Sequence, residues 1–253
     1  MTEYTVKPSA EVFVDLNEKK PIRVLHVDDE TSLLKIAKQC LEMEGSFQVD
    51  TVSSADQALE RIKAESYDAI VSDYQMPEKD GLEFLKELRD SGNNIPFIIF
   101  TGKGREEVAI KAWSLGADHY VNKSGDPETV YYELAHCLRS AVERRKAEIK
   151  VTETIHKLQT IYQNAVEGIS YVDSEENFFF VNKAFADILG CREEMLIGMN
   201  LRGFVDEESW RKIKNEAEQR KRGRSSRYEV TFCRNDGTRR NVMISGSPVF
   251  DYN

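Results

Sequence analysis

The sequence predicts an α/β domain with a five-stranded parallel sheet, followed by a helical linker and an α+β domain with an antiparallel sheet. Three observations lead to this fold class. Short apolar runs alternate with helical patterns five times from Pro21 onward, no proline or glycine occurs between residues 143 and 167, and two strand-like runs frame an Asn-Asp-Gly turn near the C-terminus. Apolar alternation with a period of 2 or 3.6 residues distinguishes strands from helices.

The composition limits the classes of protein to consider. A length of 253 residues suits two ordinary domains, and 40% hydrophobic residues are enough for two cores. The formal net charge of −9 argues against non-specific binding to nucleic acid or anionic lipid. No apolar run approaches the roughly 20 residues that span a bilayer, and the polar residues 1–20 lack the pattern of a signal peptide. The four cysteines are scattered without a CxxC pair, which is typical of a reducing cytosol. We therefore expect a cytoplasmic protein without nucleic-acid or membrane contacts, and we expect residues 1–20 to form a mobile extension.

The first domain is predicted to consist of alternating strands and helices. The strands are expected at residues 22–27, 47–52, 68–73, 96–102 and 118–123. The helices are expected at residues 32–45, 54–66, 81–92 and 106–117, and a fifth begins at residue 126. Strands joined by helices form a parallel sheet that is covered on both faces, with right-handed crossovers. At this size, a flavodoxin-like strand order is the natural choice.

Charged and hydroxyl side chains follow four of these strands. Asp28 and Asp29 come after the first strand, Asp73 ends the third, Thr101 ends the fourth and Lys123 ends the fifth. The carboxyl ends of parallel strands meet at one edge of the sheet, so we expect these side chains to lie together. An aspartate at a strand end is by itself as commonly a turn cap as a catalytic group. Four strands that each supply such a residue favour a site instead.

The residue types at this edge suit phosphoryl transfer. Clustered carboxylates raise each other's pKa unless a cation lies between them, and Mg²⁺ prefers oxygen ligands. An aspartate can attack phosphorus to give an acyl phosphate. Catalysis of such a transfer consists mostly of positioning and neutralisation of the phosphoryl oxygens, which Lys123 and Thr101 could provide.

Residues 21–142 resemble a response-regulator receiver domain along their whole length. The resemblance rests on the Asp-Asp pair after the first strand, the pattern D-x-x-M-P-x-x-D-G that begins at Asp73, Thr-Gly after the fourth strand and the lysine after the fifth. One departure is that Ser124 and Gly125 follow the lysine where the family usually has proline. The geometry of that loop therefore stays open.

The resemblance implies a role for each residue at the edge. Asp73 is the expected phosphoacceptor, Thr101 and Lys123 bind the phosphoryl group, and Tyr120 is the aromatic switch. The expected ligands of Mg²⁺ are Asp28, Asp29, Asp73 and the backbone carbonyl of Gln75. The expected phosphodonor is a partner histidine kinase.

The last helix of this domain is predicted to continue through a linker at residues 143–160. Apolar side chains recur at spacings of three, four or seven residues along it: Val142, Ile149, Thr152, Ile155, Leu158, Tyr162 and Ala165. Such a narrow seam suits a partner helix and indicates a homodimer. The alternative is a solvated helix that packs on its own domain.

Residues 161–253 resemble a PAS sensory domain. The resemblance rests on G-I-S-Y-V-D, on F-V-N-K-A-F-A-D-I-L-G and on the final hairpin with its N-D-G-T turn. It leaves the ligand unknown, with haem, flavin, a small metabolite or no ligand all open, and a dimerisation role is the default. Cys191 is not in the context of a flavin-photosensor cysteine, and no histidine follows His156, which argues against a His-ligated haem.

Together these patterns predict a two-component phosphorelay protein in which a receiver is coupled through a helix to a PAS module. The alternative is the N-terminal part of a hybrid sensor histidine kinase whose catalytic domain lies beyond residue 253. His156 lacks the acidic neighbour and the proline expected of a phosphorylated histidine. Only four strands are expected after the linker, where the resemblance implies five, so we also expect the PAS sheet to lack its last strand.

Overall fold

A computed structural model describes residues 20–102 and 106–249. The chain divides into two compact units, and the boundary between them falls after Lys150. Of the predicted N-terminal extension, only Lys20 is among the described residues. Within the described residues no helix is both long enough and apolar enough to cross a membrane.

The first unit is built on a parallel sheet of five strands. The strands are β1 (Ile22–Val27), β2 (Phe47–Val52), β3 (Ala69–Ser72), β4 (Phe97–Thr101) and β5 (His119–Asn122). The helices are α1 (Thr31–Met43), α2 (Ala55–Ala64), α3 (Gly81–Asp90), α4 (Glu106–Ser114) and α5 (Pro127–Gln163). The spatial order is β2-β1-β3-β4-β5, and each pair of neighbouring strands is parallel. The predicted flavodoxin-like order is confirmed.

The sheet has an apolar core on each face. Side chains alternate across a strand, so Leu25 and Val27 pack into one cluster and Val24 into the other. All residues of β3 and β4 are buried, as expected for central parallel strands. A fully buried Ile, Leu or Phe contributes about 1.5–3 kcal/mol of hydrophobic free energy, and these strands are rich in such residues.

Two helices start on side-chain caps close to the carboxyl edge of the sheet. The hydroxyl of Ser54 accepts a hydrogen bond from Gln57 N at the start of α2. The carboxylate of Asp80 accepts from the backbone of Leu82 and Glu83 at the start of α3, and the Glu83 side chain accepts from Asp80 N. This reciprocal capping box fixes the entry of α3 directly after the loop that begins at Asp73.

The helix α5 runs without interruption through the predicted linker, so the prediction of one continuous helix is confirmed. Pro127 is its first residue, where the missing N–H has no cost. Residues on one of its faces are buried as far as Val142, and residues 151–160 are all exposed. Val142 belongs to the core of the first unit, so its predicted place in the apolar seam is wrong.

The second unit combines short helices with two hairpins. Its elements are β6 (Ser170–Val172), β7 (Phe178–Val181), α6 (Lys183–Leu189), α7 (Glu193–Leu196), a 3₁₀-helix (Leu201–Phe204), α8 (Glu207–Lys221), β8 (Ser226–Cys233) and β9 (Arg239–Gly246). The core contains Phe178, Phe185, Phe204 and Phe232, which meet edge to face. Among the described residues, β6–β7 and β8–β9 are two separate antiparallel pairs. Two isolated antiparallel bridges, Asn177 with Asn200 and Val205 with Phe232, lie outside these strand pairs. The predicted α+β architecture is therefore found, with its antiparallel strands in two ribbons.

Candidate functional site

Four of the predicted site residues lie where the strands of the first unit end. Asp28 follows β1, Asp73 follows β3, Thr101 is the last residue of β4 and Lys123 lies just after β5. Asp28 and Thr101 are each 1% exposed, and Asp73 is 7% exposed. A parallel sheet with a topological switch between β1 and β3 brings such residues to one crevice. Polar groups this deeply buried require partners.

Lys123 joins the two buried aspartates. Its Nζ atom lies 2.6 Å from Oδ2 of Asp28 and 2.6 Å from Oδ1 of Asp73. The ammonium also lies 5.4 Å from the centre of the Phe100 ring, within the range of a cation–π contact. One positive charge thus faces two carboxylates, and the trio carries a net charge of −1. The site has electrostatic capacity for a further cation.

The second oxygen of each aspartate is held by the backbone. Oδ1 of Asp28 accepts a hydrogen bond from Glu30 N at 2.9 Å, and Oδ2 of Asp73 accepts one from Gln75 N at 2.6 Å. Each bond closes a local turn in which an aspartate binds the amide two residues on. Both carboxylates are therefore fixed in orientation at two points. The Asp73 turn brings the backbone nitrogen of Gln75, whose carbonyl is the predicted ligand, to the carboxylate.

Gly81 and Ser72, which are not among the predicted site residues, shape the backbone around Asp73. A Cβ atom on Gly81 would lie 2.2 Å from the carbonyl oxygen of Asp73, far inside van der Waals contact. The hydroxyl of Ser72 donates to the same oxygen at 2.9 Å, and Gly81 N donates to the carbonyl of Tyr74 at 2.9 Å. Only glycine allows α3 to begin this close to the end of β3. The Asp-Gly pair at residues 80–81 was the available signal.

The loop after β5 is formed by backbone hydrogen bonds and a glycine, where the family usually has a proline. Lys123 N donates to the carbonyl of Thr101 at 3.0 Å, which ties the ends of β4 and β5. Ser124 N donates to the Asn122 side chain at 2.8 Å. Gly125 has a φ of +136°, a conformation that glycine adopts readily. Lys123 therefore contacts both Asp28 and Asp73 although no proline follows it.

Tyr120 is half-buried in β5 and packs against the core cluster beneath the site. Its hydroxyl is shielded from solvent and has no hydrogen-bond partner among the described residues. Burial, and after it the charge of Asp73, raises the pKa of Tyr120 above its usual value. The ring therefore lies within electrostatic range of the predicted phosphoacceptor.

His26 is a further buried group beside the site, and the sequence pattern predicts it only as a strand residue. It is 0% exposed, neither ring nitrogen has a partner among the described residues, and its ring lies 6.1 Å from that of Phe100. Burial, and after it the charge of Lys123, lowers the pKa of His26 to about 3. The imidazole is therefore neutral in the folded protein near pH 7.

The donor set at this edge fits a hard divalent cation. Two carboxylates, from Asp28 and Asp73, already converge on one cationic atom, and Mg²⁺ takes oxygen ligands of this kind. Asp29 is exposed, and within residues 20–102 and 106–249 no three His, Cys, Asp or Glu side chains form a ready metal cluster. The ammonium of Lys123 takes the position where the two carboxylates meet.

Among its described residues, the second unit has an apolar core that includes four phenylalanines. The phenylalanine rings of its core lie 5.4 to 6.0 Å apart, and such pairs add stability beyond their buried area. Cys191 is half-buried, its thiol is free, and Sγ lies 3.8 Å from the carbonyl of Leu189. Cys191 therefore packs as a small polarisable side chain.

Comparisons with known proteins agree with the two units. The family model described as the response regulator receiver domain matches residues 24–135, and the model described as the PAS fold matches residues 156–253. The response regulator Rre1 of Synechocystis sp. is 31% identical over 146 residues, which are 57% of this chain and 62% of that protein. The alkaline phosphatase synthesis transcriptional regulatory protein PhoP of Bacillus subtilis is 33% identical over 132 residues, which are 52% of this chain and 55% of that protein.

The chain thus spans less than two thirds of the length of these relatives. Among solved structures, a response regulator receiver domain protein from Clostridium thermocellum is 30% identical, with a TM-score of 0.45. The match covers 50% of this chain and 98% of that structure. The chain contains a response-regulator receiver domain followed by a PAS fold, an architecture that fits a two-component signalling protein.

Proposed function

We propose that Asp73 accepts a phosphoryl group from a histidine kinase in a Mg²⁺-dependent reaction, and that α5 couples this event to the PAS fold. The observation that carries the proposal is the pairing of two buried carboxylates, Asp28 and Asp73, with the single ammonium of Lys123. A buried charge cluster of this kind is expensive for stability and is typical of functional sites.

In the proposed transfer, a carboxylate oxygen of Asp73 forms a bond to phosphorus, and the bond from phosphorus to the imidazole nitrogen of the kinase breaks. The imidazole leaves with the bonding electron pair and takes a proton. Gln75 N orients the Asp73 carboxylate. Lys123 and the Thr101 hydroxyl are assigned to the phosphoryl oxygens, whose negative charge they offset. Tyr120, beside this site, is assigned the role of the aromatic switch.

Mg²⁺ would be held by Asp28, Asp29, Asp73 and the backbone carbonyl of Gln75, and receiver domains are generally Mg²⁺-dependent. When bound, it supplies neutralisation of negative charge on the phosphoryl oxygens. The hydrogen bond from Glu30 N, which orients the Asp28 carboxylate, supports this assignment, and Asp29 is exposed to solvent.

The exposed part of α5 is assigned to self-association. Val151, Ile155, Leu158 and Ile161 are between 50% and 68% exposed, and they recur at spacings of three and four residues. A helix face with this pattern buries its apolar area when it pairs with a second copy. We infer a homodimer through α5 and the PAS fold, in the cytoplasm, where the four free cysteines remain reduced.

Phosphorylation by a small acyl phosphate tests the proposal without the kinase. The wild-type protein should gain one phosphoryl group in intact-mass measurements with Mg²⁺, and much less after chelation of the metal. Asp73→Asn should gain none. The matched control is Asp90→Asn, which makes the same change at an exposed position of α3 and should be labelled like the wild type. Equal labelling of both variants would remove Asp73 from its role.

A further inference from the structure

The end of α5 is held by a side chain of the PAS fold, Asn182, which is 0% exposed. Its Nδ2 atom donates to the carbonyl oxygens of Tyr162 and Glu167, at 3.1 and 3.0 Å. Its Oδ1 atom accepts from the backbone nitrogens of Ile169 and Phe185, at 2.8 and 2.9 Å. An asparagine side chain offers two donors and about two good acceptor positions. The amide of Asn182 is therefore fully used.

The bond to Tyr162 caps the helix. The last four carbonyls of an α-helix have no partner within the helix, and α5 ends at Gln163. Within residues 20–102 and 106–249, the only other donor to the carbonyl of Tyr162 is Ala165 N, at the long distance of 3.4 Å. The Tyr162 ring also stacks on Phe180 of β7, with ring centres 3.9 Å apart and planes inclined by 24°. The PAS fold therefore holds both the backbone and the side chain of the final turn.

The segment between α5 and β6 passes close to α6. A Cβ atom on Gly168 would lie 2.7 Å from Cδ1 of Ile188 and 3.1 Å from Cα of Phe185, so a side chain there would require both neighbours to shift. Asn182 is also the N-cap of α6, since Phe185 N donates to its Oδ1 atom. One amide group thus ties together the end of α5, the start of β6 and the start of α6.

We propose that the hydrogen bonds of Asn182 are the means by which the PAS fold controls how well ordered the final turns of α5 are. A change in the PAS fold that displaces the start of α6 or β6 withdraws two hydrogen bonds from the helix end and its following segment. A change in α5 reaches α6 through the same atoms, because coupling between two sites is reciprocal. This deepens the proposed function, and rests on it, in that α5 is taken to carry the signal between the two domains.

Asn182→Asp removes the hydrogen bonds to the end of α5 and its following segment but keeps the N-cap of α6. Aspartate keeps an acceptor for Ile169 and Phe185 and is as good an N-cap as asparagine. It loses both donors and sets a carboxylate oxygen against the carbonyls of Tyr162 and Glu167. In hydrogen exchange followed by mass spectrometry, we expect amides of residues 159–169 to exchange at least tenfold faster in this variant. Amides of α8 should keep their wild-type rates.

Asn200→Asp is the matched control. Nδ2 of Asn200 donates to Glu175 O and to Asn177 Oδ1, both at 2.8 Å, and its Oδ1 accepts from Arg202 N at 3.0 Å. The substitution therefore removes the same two donors from another asparagine of the PAS fold, and residues 159–169 should keep their protection. Unchanged protection of residues 159–163 in Asn182→Asp would overturn the proposal.

The remaining outcome is that Asn182→Asp destabilises the whole PAS fold. A second variant distinguishes this outcome from a local effect on α5. Asn182→Ser keeps a cap hydroxyl for α6 but is too short to reach Tyr162. If amides of α8 exchange faster in Asn182→Asp than in the wild type, Asn182→Ser should lose protection only at residues 159–169. Equal loss over α8 in both variants would also overturn the proposal. Each variant is also tested for phosphorylation of Asp73 by a small acyl phosphate. A failure of the proposed phosphorylation is therefore distinguished from a failure of the proposal for Asn182.

Discussion

At the scale of single residues, Lys79 and Lys123 each bridge two carboxylates. Lys123 joins the buried pair Asp28 and Asp73. Lys79 joins Asp56 and Glu87 at 2.8 and 2.6 Å, but those carboxylates are 64% and 52% exposed. A buried charge that loses its partner is strongly destabilising, whereas exposed pairs contribute little. The same geometry therefore has very different consequences at the two positions.

We expect Lys123→Met to lower the free energy of unfolding by about 3–5 kcal/mol, because it leaves two buried carboxylates facing each other. Lys79→Met should lower it by less than about 1 kcal/mol. Urea unfolding without divalent ions measures both. Mg²⁺ should then restore part of the loss in Lys123→Met and none in Lys79→Met. Similar small losses in the two variants would contradict the buried bridge.

His26 gives the receiver a pH dependence with a definite sign. Its pKa is about 3 in the fold and 6.5 in the unfolded reference, so below pH 6.5 the unfolded chain takes up a proton that the folded chain does not. The stability that neutral His26 maintains is present above pH 6.5 and is lost as the pH falls toward 3. When the pH is lowered from 7 to 5, the free energy of unfolding of His26→Leu should therefore fall by about 2 kcal/mol less than that of the wild type.

Urea unfolding at each pH measures this difference. His156→Leu, which removes an exposed histidine from α5, controls for the loss of a histidine as such. If His26→Leu and the wild type lost stability in parallel, a proton would be reaching His26 in the folded state.

At the scale of elements, the position of α3 depends on one glycine. The helix begins at Gly81, and the Cα of this residue faces the carbonyl of Asp73 so closely that a methyl group would lie 2.2 Å from the oxygen. The capping box of Asp80 and Glu83 fixes the same turn. Because Asp73 directly follows β3 and α3 begins eight residues later, a shift of α3 would be transmitted directly to Asp73.

We expect Gly81→Ala to destabilise the receiver by at least about 1–3 kcal/mol through overpacking against backbone and to slow phosphorylation of Asp73. Gly102→Ala is the control in the same domain, since its Cβ would lie 3.8 Å from Cβ of Lys123, an ordinary contact. Thermal unfolding and labelling rates measure the two effects. A Gly81→Ala protein that is as stable and as quickly labelled as Gly102→Ala would show that α3 can move without disturbing Asp73.

The exposed face of α5 makes a second prediction at this scale. Ile155→Glu with Leu158→Glu should shift the protein from dimer to monomer, because two charges per copy would be placed in the proposed helix pair. The control, Lys157→Glu with Thr160→Glu, adds charge at exposed polar positions of the same helix. Sedimentation at micromolar concentration measures the species. A monomeric wild type would remove the dimer from the proposed function.

At the scale of the whole molecule, sequence patterns predicted the topology and the meeting point of the site residues. Parallel strands bring their carboxyl ends together, so Asp28, Asp73, Thr101 and Lys123 could be placed at one edge without coordinates. The bridge made by Lys123 could not be predicted, because it depends on how far a flexible side chain reaches. The burial of Val142 was missed because periodicity does not say which neighbour a helix face packs against.

The two domains differ in how their strands are covered, and this predicts different protection. The central strands β3 and β4 are wholly buried. Five of the eight residues of β9 are exposed, and among the described residues β9 pairs only with β8. We expect amides of β6 to β9 to exchange much faster than those of β3 and β4. Equally slow exchange in both domains would show that the two hairpins have partners beyond the described pairing.

The phosphorylation of Asp73 is tested most directly by locating the modified residue. After reaction with a small acyl phosphate and Mg²⁺, borohydride reduction converts an aspartyl phosphate into homoserine, and peptide mass spectrometry then identifies the position. The predicted result is homoserine at residue 73 alone, absent without Mg²⁺ and absent in Asp73→Asn. Homoserine at another aspartate, or none in a folded wild-type protein, would contradict the proposed site.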